Sequence, residues 1–345
     1  MGEQLVKLQF KGPVFQSLKQ FPFVVVDVGA RGGLKKEWLA LHPYLQCIGF
    51  EPDPAEYKRL RQTAENTSQI SYRQSGLWDS RQELSLHLTE KEGLSSVYFP
   101  NEKFLKHFGP LNIQGYGVQR KVPMEVARLD EVLSGSEARA VDFIKIHVEG
   151  AALEILRGAE GIFKEGTVVG LRIEAEFNPK YSGQHLFSEV DERLRLFDYQ
   201  LFDFKTCRWK RKAGFQTGGT SGQPVHGDFI YFMDFDAFFR KIERLPLEER
   251  SSKTIKFLIF LCLYGIYDAA LELIDEASKR EILSREEAGN LKNELGKTQS
   301  FLMRIPKLQG RSLASDWCYH FLMLAGGLWL ERRGFWRSEV ELRLS

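Results

Sequence analysis

The sequence predicts an α/β protein with a doubly wound parallel sheet and an appended C-terminal α-helical module. Over the first two-thirds of the chain, short β-branched apolar runs alternate with amphipathic stretches, which is typical of parallel strands joined by helices. A glycine-containing loop follows the first apolar run, at the kind of position where ligands meet the carboxyl ends of strands. After about residue 245 only helical spacing remains. We therefore expect an α/β domain at 1–240 and a helical module at 241–345.

The apolar pattern places each element along the chain. We expect five main strands at 23–28, 46–50, 70–78, 141–148 and 168–177, with helices at 36–41, 54–66 and 151–158. An insertion at 79–140 separates the third strand from the fourth and contains two further strands, at 83–89 and 119–127. A late hairpin pairs 199–209 with 228–234. In the module, helical spacing covers 253–279, 285–297 and 317–332.

Composition and charge exclude several classes of protein. With 27% charged and 43% hydrophobic residues among 345, the chain is neither fibrous nor globally disordered. The net charge of +2 argues against a nucleic-acid partner, which requires a concentrated basic face. Four widely spaced cysteines show no zinc or redox spacing, which favours a reducing, cytoplasmic location.

The longest apolar runs, at 257–267 and 321–330, fall short of the roughly 20 residues that span a bilayer. We therefore expect no transmembrane segment and interpret both runs as buried helices. Contact with a membrane surface is the alternative. The helical tail is also the surface through which we expect any homo-oligomer to form.

The segment DVGARGG joins the first strand to the following helix. Gly29 and Gly33 allow a tight turn close to a ligand, but Arg31 stands where the dinucleotide fingerprint needs its second glycine. Asp27 would repel a pyrophosphate and attract an ammonium. S-adenosyl-L-methionine carries an ammonium and a sulfonium but no phosphate, so the loop favours this cofactor over NAD. Glu51 ends the second strand, where a carboxylate can accept hydrogen bonds from both ribose hydroxyls; alternatively, both acids only cap helices.

Five segments resemble the FkbM family of S-adenosylmethionine-dependent methyltransferases. They are VVVDVGARGG, IGFEPDP, LHLTEKEGLSSVYFPN, VARLDEVL and VDFIKIHVEGAALEILRGAEG. The resemblance covers roughly residues 20–235 and does not extend to the helical tail. It implies a class I methyltransferase (Rossmann-like) fold with a seven-stranded doubly wound sheet.

The resemblance also implies the cofactor contacts. The methionine part would lie against the first loop, the ribose against the end of the second strand, and the adenine at the end of the third. In that order, the residues are Asp27, Gly29, Ala30 and Gly33; Glu51 and Pro52; and Gly76, Leu77 and Trp78. Family members act mainly as O-methyltransferases on sugars or other hydroxylated metabolites, so the implied acceptor is a small molecule or a glycan.

His147 departs from the family string, which has aspartate after Lys-Ile. Methyl transfer to an alcohol requires removal of the hydroxyl proton, and histidine is well suited to be the general base near neutral pH. We therefore expect His147 to be catalytic, with Glu149, which matches the family string, contributing beside it.

Two alternatives to a catalytic His147 stay open. The departure could mark a catalytically altered protein that acts as a binding or scaffold protein, with the helical tail recruiting a partner. His147 could also bind a divalent metal together with Glu149 and Glu174, since imidazole and carboxylates suit such ions. Our expectation is that the site holds no metal.

Overall fold

The computed structural model describes residues 17–64, 68–133, 135–214 and 222–298. The strands are β1 (Phe23–Val28), β2 (Leu45–Phe50), β3 (Ile70–Arg73), β4 (Gly76–Leu77), β5 (Gln82–Thr89), β6 (Val118–Ala127), β7 (Phe143–Ile146), β8 (Gly170–Glu176), β9 (Tyr199–Trp209) and β10 (Gln223–Met233). The α-helices are α1 (Ser17–Gln20), α2 (Pro54–Ala64), α3 (Glu102–Leu105), α4 (Pro110–Ile113), α5 (Leu129–Val132), α6 (Gly135–Ala140), α7 (Ala152–Gly158), α8 (Glu160–Glu165), α9 (Phe187–Arg195), α10 (Phe235–Ile242), α11 (Leu247–Leu263), α12 (Tyr267–Lys279) and α13 (Arg285–Thr298). Short 3₁₀ helices cover Lys36–Leu41, Glu92–Leu94 and Lys212–Gly214.

Seven strands form one sheet in the order β3-β2-β1-β7-β8-β10-β9. The neighbours from β3 to β8 are parallel, and β10 is antiparallel to both of its partners. This is the class I methyltransferase arrangement, so the predicted fold class is confirmed. All six residues of β1 are buried, as expected for a central strand covered on both faces. The chain order reverses between β1 and β7, and ligands bind beyond the strand ends at such a switch point.

The two strands of the 79–140 insertion, β5 and β6, form a second sheet together with β4, in the order β4-β6-β5. The prediction of one continuous strand over 70–78 was wrong, because β3 belongs to the large sheet and β4 pairs with β6. A turn separates them, in which the Ser75 amide donates to the Arg73 carbonyl at 3.1 Å. A Cβ atom on Gly76 would lie 2.7 Å from the Val126 side chain, so only glycine permits this approach of β4 to β6.

Helix α11 belongs to the core of the α/β domain. Phe257 and Phe260 are fully buried. The Phe260 ring stacks on Phe143 of β7 with 4.7 Å between ring centroids, and Phe257 stacks on Phe232 of β10 at 5.7 Å. The expected burial of the 257–267 run is therefore confirmed as far as Cys262.

The helical spacing over 253–279 corresponds to two helices, α11 and α12. Gly265 has a φ of +77°, a left-handed conformation that ends a helix, and it separates α11 from α12. The expected boundary at residue 240 falls inside α10, and the same hydrophobic core contains residues on both sides of it. The expected helix at 317–332 and the apolar run at 321–330 lie outside the described residues. Among the described helices, none is both long and apolar enough to cross a membrane.

A buried triad of charges fastens α11 to the sheet. Asp142, immediately before β7, is 0% exposed, and its carboxylate accepts hydrogen bonds from Lys253 Nζ at 2.6 Å and Lys256 Nζ at 2.8 Å. It also accepts the Val24 amide of β1 at 2.8 Å. Burial alone would raise the pKa of Asp142, but the two ammonium groups more than offset this and hold it below its ordinary value. Burial lowers the pKa of Lys256 to about 8.

Candidate cofactor and acceptor site

A cavity of about 230 Å³ lies at the carboxyl ends of β1, β2 and β7, where the chain order reverses. The small sheet and its loops line the opposite side. Most of the predicted site residues line this cavity: Gly29, Glu51, Pro52, Gly76, Leu77, Trp78, His147 and Glu149. The fold therefore brings most of the predicted cofactor residues together with the predicted catalytic residues.

Gly29 allows the first loop to touch the loop that follows β7. Its φ is +76°, and a Cβ atom there would lie 2.1 Å from the carbonyl oxygen of His147. Both the backbone conformation and the space exclude any larger residue. The close approach places His147 directly beside the first loop.

Asp27, Ala30 and Gly33 do not line the cavity. The Asp27 carboxylate is buried and accepts a hydrogen bond from Lys145 Nζ at 2.7 Å. The same ammonium donates to the Gly29 carbonyl at 2.9 Å. Lys145 therefore lines the cavity, whereas Asp27, its ion-pair partner, does not. Lys145 was not predicted from the sequence. The signal was a lysine inside the apolar strand FIKI, because a buried lysine is almost always paired with a partner.

Glu51 lies at the cavity with an exposed fraction of 3%. One carboxylate oxygen accepts the Asp53 amide at 3.0 Å, and burial raises the pKa of Glu51. Arg31 lies 3.8 Å from Glu51 and donates to Asp53 at 2.7 Å and to Glu92 at 2.6 Å. Arg31, which stands where the dinucleotide fingerprint needs its second glycine, thus links the first loop to Glu92 of the insertion.

His147 presents a half-exposed imidazole to the cavity, with 43% of its side chain accessible. Its Nε2 atom lies 3.3 Å from Glu174 Oε2, and its Nδ1 atom lies 4.0 Å from Asp228 Oδ1. The other oxygen of Glu174 pairs with His226 Nδ1 at 2.7 Å. His226 is not among the residues predicted from the sequence, because only the pairing of β8 with β10 brings it to Glu174.

Neighbouring positive charges keep the buried Glu174 carboxylate ionised. Burial would raise the pKa of Glu174, but His147, Lys180 and His226 lower it well below its ordinary value. Burial and Lys180 would lower the pKa of His226. Hydrogen bonds with the Cys207 thiol and with Glu174 outweigh them and raise it to about 10. A buried carboxylate anion therefore stands behind the exposed imidazole.

Glu149 adopts a left-handed backbone conformation with a φ of +50°, which is uncommon outside glycine and often marks a functional position. Its carboxylate accepts hydrogen bonds from Lys180 Nζ at 3.0 Å and the Tyr181 hydroxyl at 2.9 Å. The Ser96 hydroxyl donates to its backbone carbonyl at 2.6 Å, which joins the insertion to this loop.

His147, Glu149 and Glu174 each offer one ligand atom, and these atoms lie within 4.8 Å of one another. That spacing suits one divalent ion. However, the Lys180 ammonium already binds Glu149 and lies 3.7 Å from Glu174. Burial would lower the pKa of Lys180, but the surrounding carboxylates raise it well above its ordinary value. Lys180 thus supplies the positive charge that a metal ion would bring.

Comparison with known proteins identifies the family to which the fold and cavity correspond. Residues 27–201 match the family described as the methyltransferase FkbM domain. Methyltransferase sdnD of Sordaria araneosa is 30% identical over 163 residues, covering 42% of this chain and 62% of that protein. The 2-O-methyltransferase NoeI of Sinorhizobium fredii is 23% identical over 144 residues, covering 40% of this chain and 57% of that protein. The chain thus spans less than two-thirds of the length of these relatives.

Among solved structures, the chain is similar to the magnesium protoporphyrin IX methyltransferase of Synechocystis with bound S-adenosylmethionine. It is 10% identical, with a TM-score of 0.30, over 67% of this chain and 80% of that protein.

Proposed function

The chain belongs to the FkbM family of S-adenosylmethionine-dependent methyltransferases, and we propose that it methylates a hydroxyl group of a sugar, glycan or related metabolite. The observation that carries this proposal is the His147 imidazole at the cavity, backed by the buried anion Glu174. An alcohol is a poor nucleophile until it loses its proton, and a positioned imidazole can accept that proton. The similar protein NoeI is a 2-O-methyltransferase, which also favours oxygen as the accepting atom.

The order of strands supports one direction for the cofactor in the cavity. Glu51 follows β2 and His147 follows β7, on opposite sides of β1 and Gly29. Adjacent strands lie about 4.8 Å apart, which puts the two strand ends about 10 Å from each other. We therefore assign the ribose to Glu51, the adenine to Gly76, Leu77 and Trp78, and the methyl group to the end beside His147.

The proton path follows from the contacts of the imidazole. Since Glu174 faces Nε2, we assign Nδ1 as the atom that accepts the hydroxyl proton. Glu174 then stabilises the imidazolium, as a buried carboxylate does behind a catalytic histidine. Bound S-adenosylmethionine supplies the methyl group; a carbon–oxygen bond forms as the carbon–sulfur bond breaks, giving a methyl ether and S-adenosylhomocysteine.

Transfer of a labelled methyl group from S-adenosylmethionine to saccharides tests this proposal. We expect label in one or more hydroxylated compounds and none in the matched deoxy compound that lacks the accepting hydroxyl. Transfer to an amine in place of the hydroxyl would contradict O-methylation. Tight cofactor binding without transfer to any hydroxylated acceptor would favour the binding or scaffold protein.

Glu51→Gln tests the ribose assignment separately from turnover. The variant keeps the shape of the side chain but loses charge-assisted acceptance from the ribose hydroxyls. Affinity for S-adenosylhomocysteine should fall at least about tenfold by calorimetry. Glu83→Gln, at an exposed position of β5, is the matched control and should bind as wild type does. Equal affinity of wild type and Glu51→Gln would remove the ribose role.

We also propose a reducing, cytoplasmic location. Cys47, Cys207 and Cys262 are free thiols, and disulfides are uncommon in that compartment. Cys318 lies outside the described residues.

A further inference from the structure

Among the described residues, three lysine and arginine side chains line the cofactor cavity, and one of them has no partner among those residues. Arg31 pairs with Asp53 and Glu92, and Lys145 pairs with Asp27. The Lys35 ammonium has no hydrogen bond and no ion pair with any residue in the described part of the chain. It nevertheless lines the cavity at an intermediate burial.

The surroundings of Lys35 leave its charge uncompensated. Burial lowers the pKa of Lys35, and the neighbouring Lys145 ammonium lowers it further. Asp27 and Glu37 oppose this, but neither forms an ion pair with Lys35 in the described part of the chain. A desolvated charge without a partner costs free energy, and a bound anion would offset that cost. The cavity is thus prepared for a negative group at this point.

The position of Lys35 identifies the part of the cofactor that it meets. Lys35 follows the first loop, and its charged neighbours Asp27 and Lys145 stand at the ends of β1 and β7. Glu51 and Trp78 mark the adenosine end of the cavity, on the other side of β1. Lys35 therefore lies at the methionine end. S-adenosylmethionine has a sulfonium, an ammonium and one carboxylate, and only the carboxylate is negative.

We propose that the Lys35 ammonium binds the carboxylate of the methionine part of S-adenosylmethionine. This assignment rests on the proposed function, because the same cavity must hold the cofactor. It makes Lys35 the residue that distinguishes S-adenosylmethionine and S-adenosylhomocysteine from nucleosides that lack the amino-acid carboxylate. An anionic acceptor is the other source of a carboxylate, and the two sources differ in whether acceptor is needed.

Calorimetry with two ligands and no acceptor separates these sources. The ligands are S-adenosylhomocysteine and decarboxylated S-adenosylhomocysteine, which lacks only the carboxylate. Lys35→Met should lose roughly 10- to 100-fold in affinity for the first, as expected for a charge-assisted contact. Its affinity for the second should stay within about threefold of wild type, because the lost partner is absent from that ligand. Lys35→Arg should keep part of the affinity, since a guanidinium also binds carboxylates.

Lys58→Met, at an exposed position of α2, is the matched control and should leave both affinities unchanged. The proposal is overturned if Lys35→Met binds S-adenosylhomocysteine as wild type does, and a raised KM for an acceptor would then assign Lys35 to that acceptor. Equal losses for both ligands would also overturn it, because the carboxylate would not be the partner. If wild type binds neither ligand, the proposed function itself fails.

Discussion

Replacing Asp142 by asparagine should lower the free energy of unfolding by about 3–5 kcal/mol. The asparagine keeps the size of the side chain and can still accept the Val24 amide. It leaves the ammonium groups of Lys253 and Lys256 buried without a counter-charge, and such a charge is far more costly than the pair it came from. Urea denaturation followed by circular dichroism measures the loss, and the transition should move without a change in slope.

Asp275→Asn provides a matched control for Asp142→Asn. Asp275 pairs with Lys292 on exposed surfaces of α12 and α13, where an ion pair contributes about 1 kcal/mol or less. Adding Lys253→Met and Lys256→Met to Asp142→Asn should recover much of the lost stability, because no unpaired charge remains. If Asp142→Asn costs no more than Asp275→Asn, the triad does not hold α11 on the sheet.

His147→Ala should reduce turnover by about 100- to 10,000-fold while leaving the affinity for S-adenosylhomocysteine almost unchanged. The imidazole accepts the hydroxyl proton in our mechanism, and no cofactor contact is assigned to its side chain. Initial rates with labelled S-adenosylmethionine and calorimetry on the same preparation give the two quantities. His107→Ala, at an exposed position outside the cavity, is the control and should match wild type.

Further variants and a chelator distinguish the roles of His147. His147→Asp should keep part of the activity and extend it to lower pH, because a carboxylic acid loses its proton at lower pH than an imidazolium. Loss of wild-type activity on chelation, restored by a divalent ion, would assign the metal role instead. Full turnover by His147→Ala with the true acceptor would show that another group takes the proton.

The central strands of the large sheet were predictable because each is a short apolar run along the chain, and such a run predicts a buried strand. Phe23–Val28 appears at the expected bounds, since a β-branched apolar run fits a strand covered on both faces. Tyr199–Trp209 also appears at the expected bounds, although it is an edge strand in which only Tyr199 and Trp209 are buried. The division of 70–78 was not predictable, because it depends on pairing with β6, far along the chain. The break at Gly265 was similarly hidden, since a glycine inside a helical pattern does not reveal its φ.

The cofactor residues were predictable where a motif fixes their place on a strand end. Glu51 and Gly29 are of this kind, and both line the cavity. The partners of buried charges were not, because a partner lies close only after folding. Asp27 attracted attention as a free acid, yet Lys145 covers it. Lys35 gave no signal at all, because its significance comes from the absence of a counter-charge among the described residues around it.

Helix α11 covers one face of the large sheet but is synthesised after all the strands of that sheet. Residues 27–201, which match the family, end inside β9 and lack β10, the strand that lies between β8 and β9. The triad joins Asp142 to Lys253 across 111 positions. During synthesis, the face of the sheet that carries Phe143 therefore stays uncovered until Phe260 of α11 has left the ribosome. Such an interval exposes apolar surface to aggregation and to chaperones, so a fragment ending near residue 201 should be recovered mainly as insoluble protein.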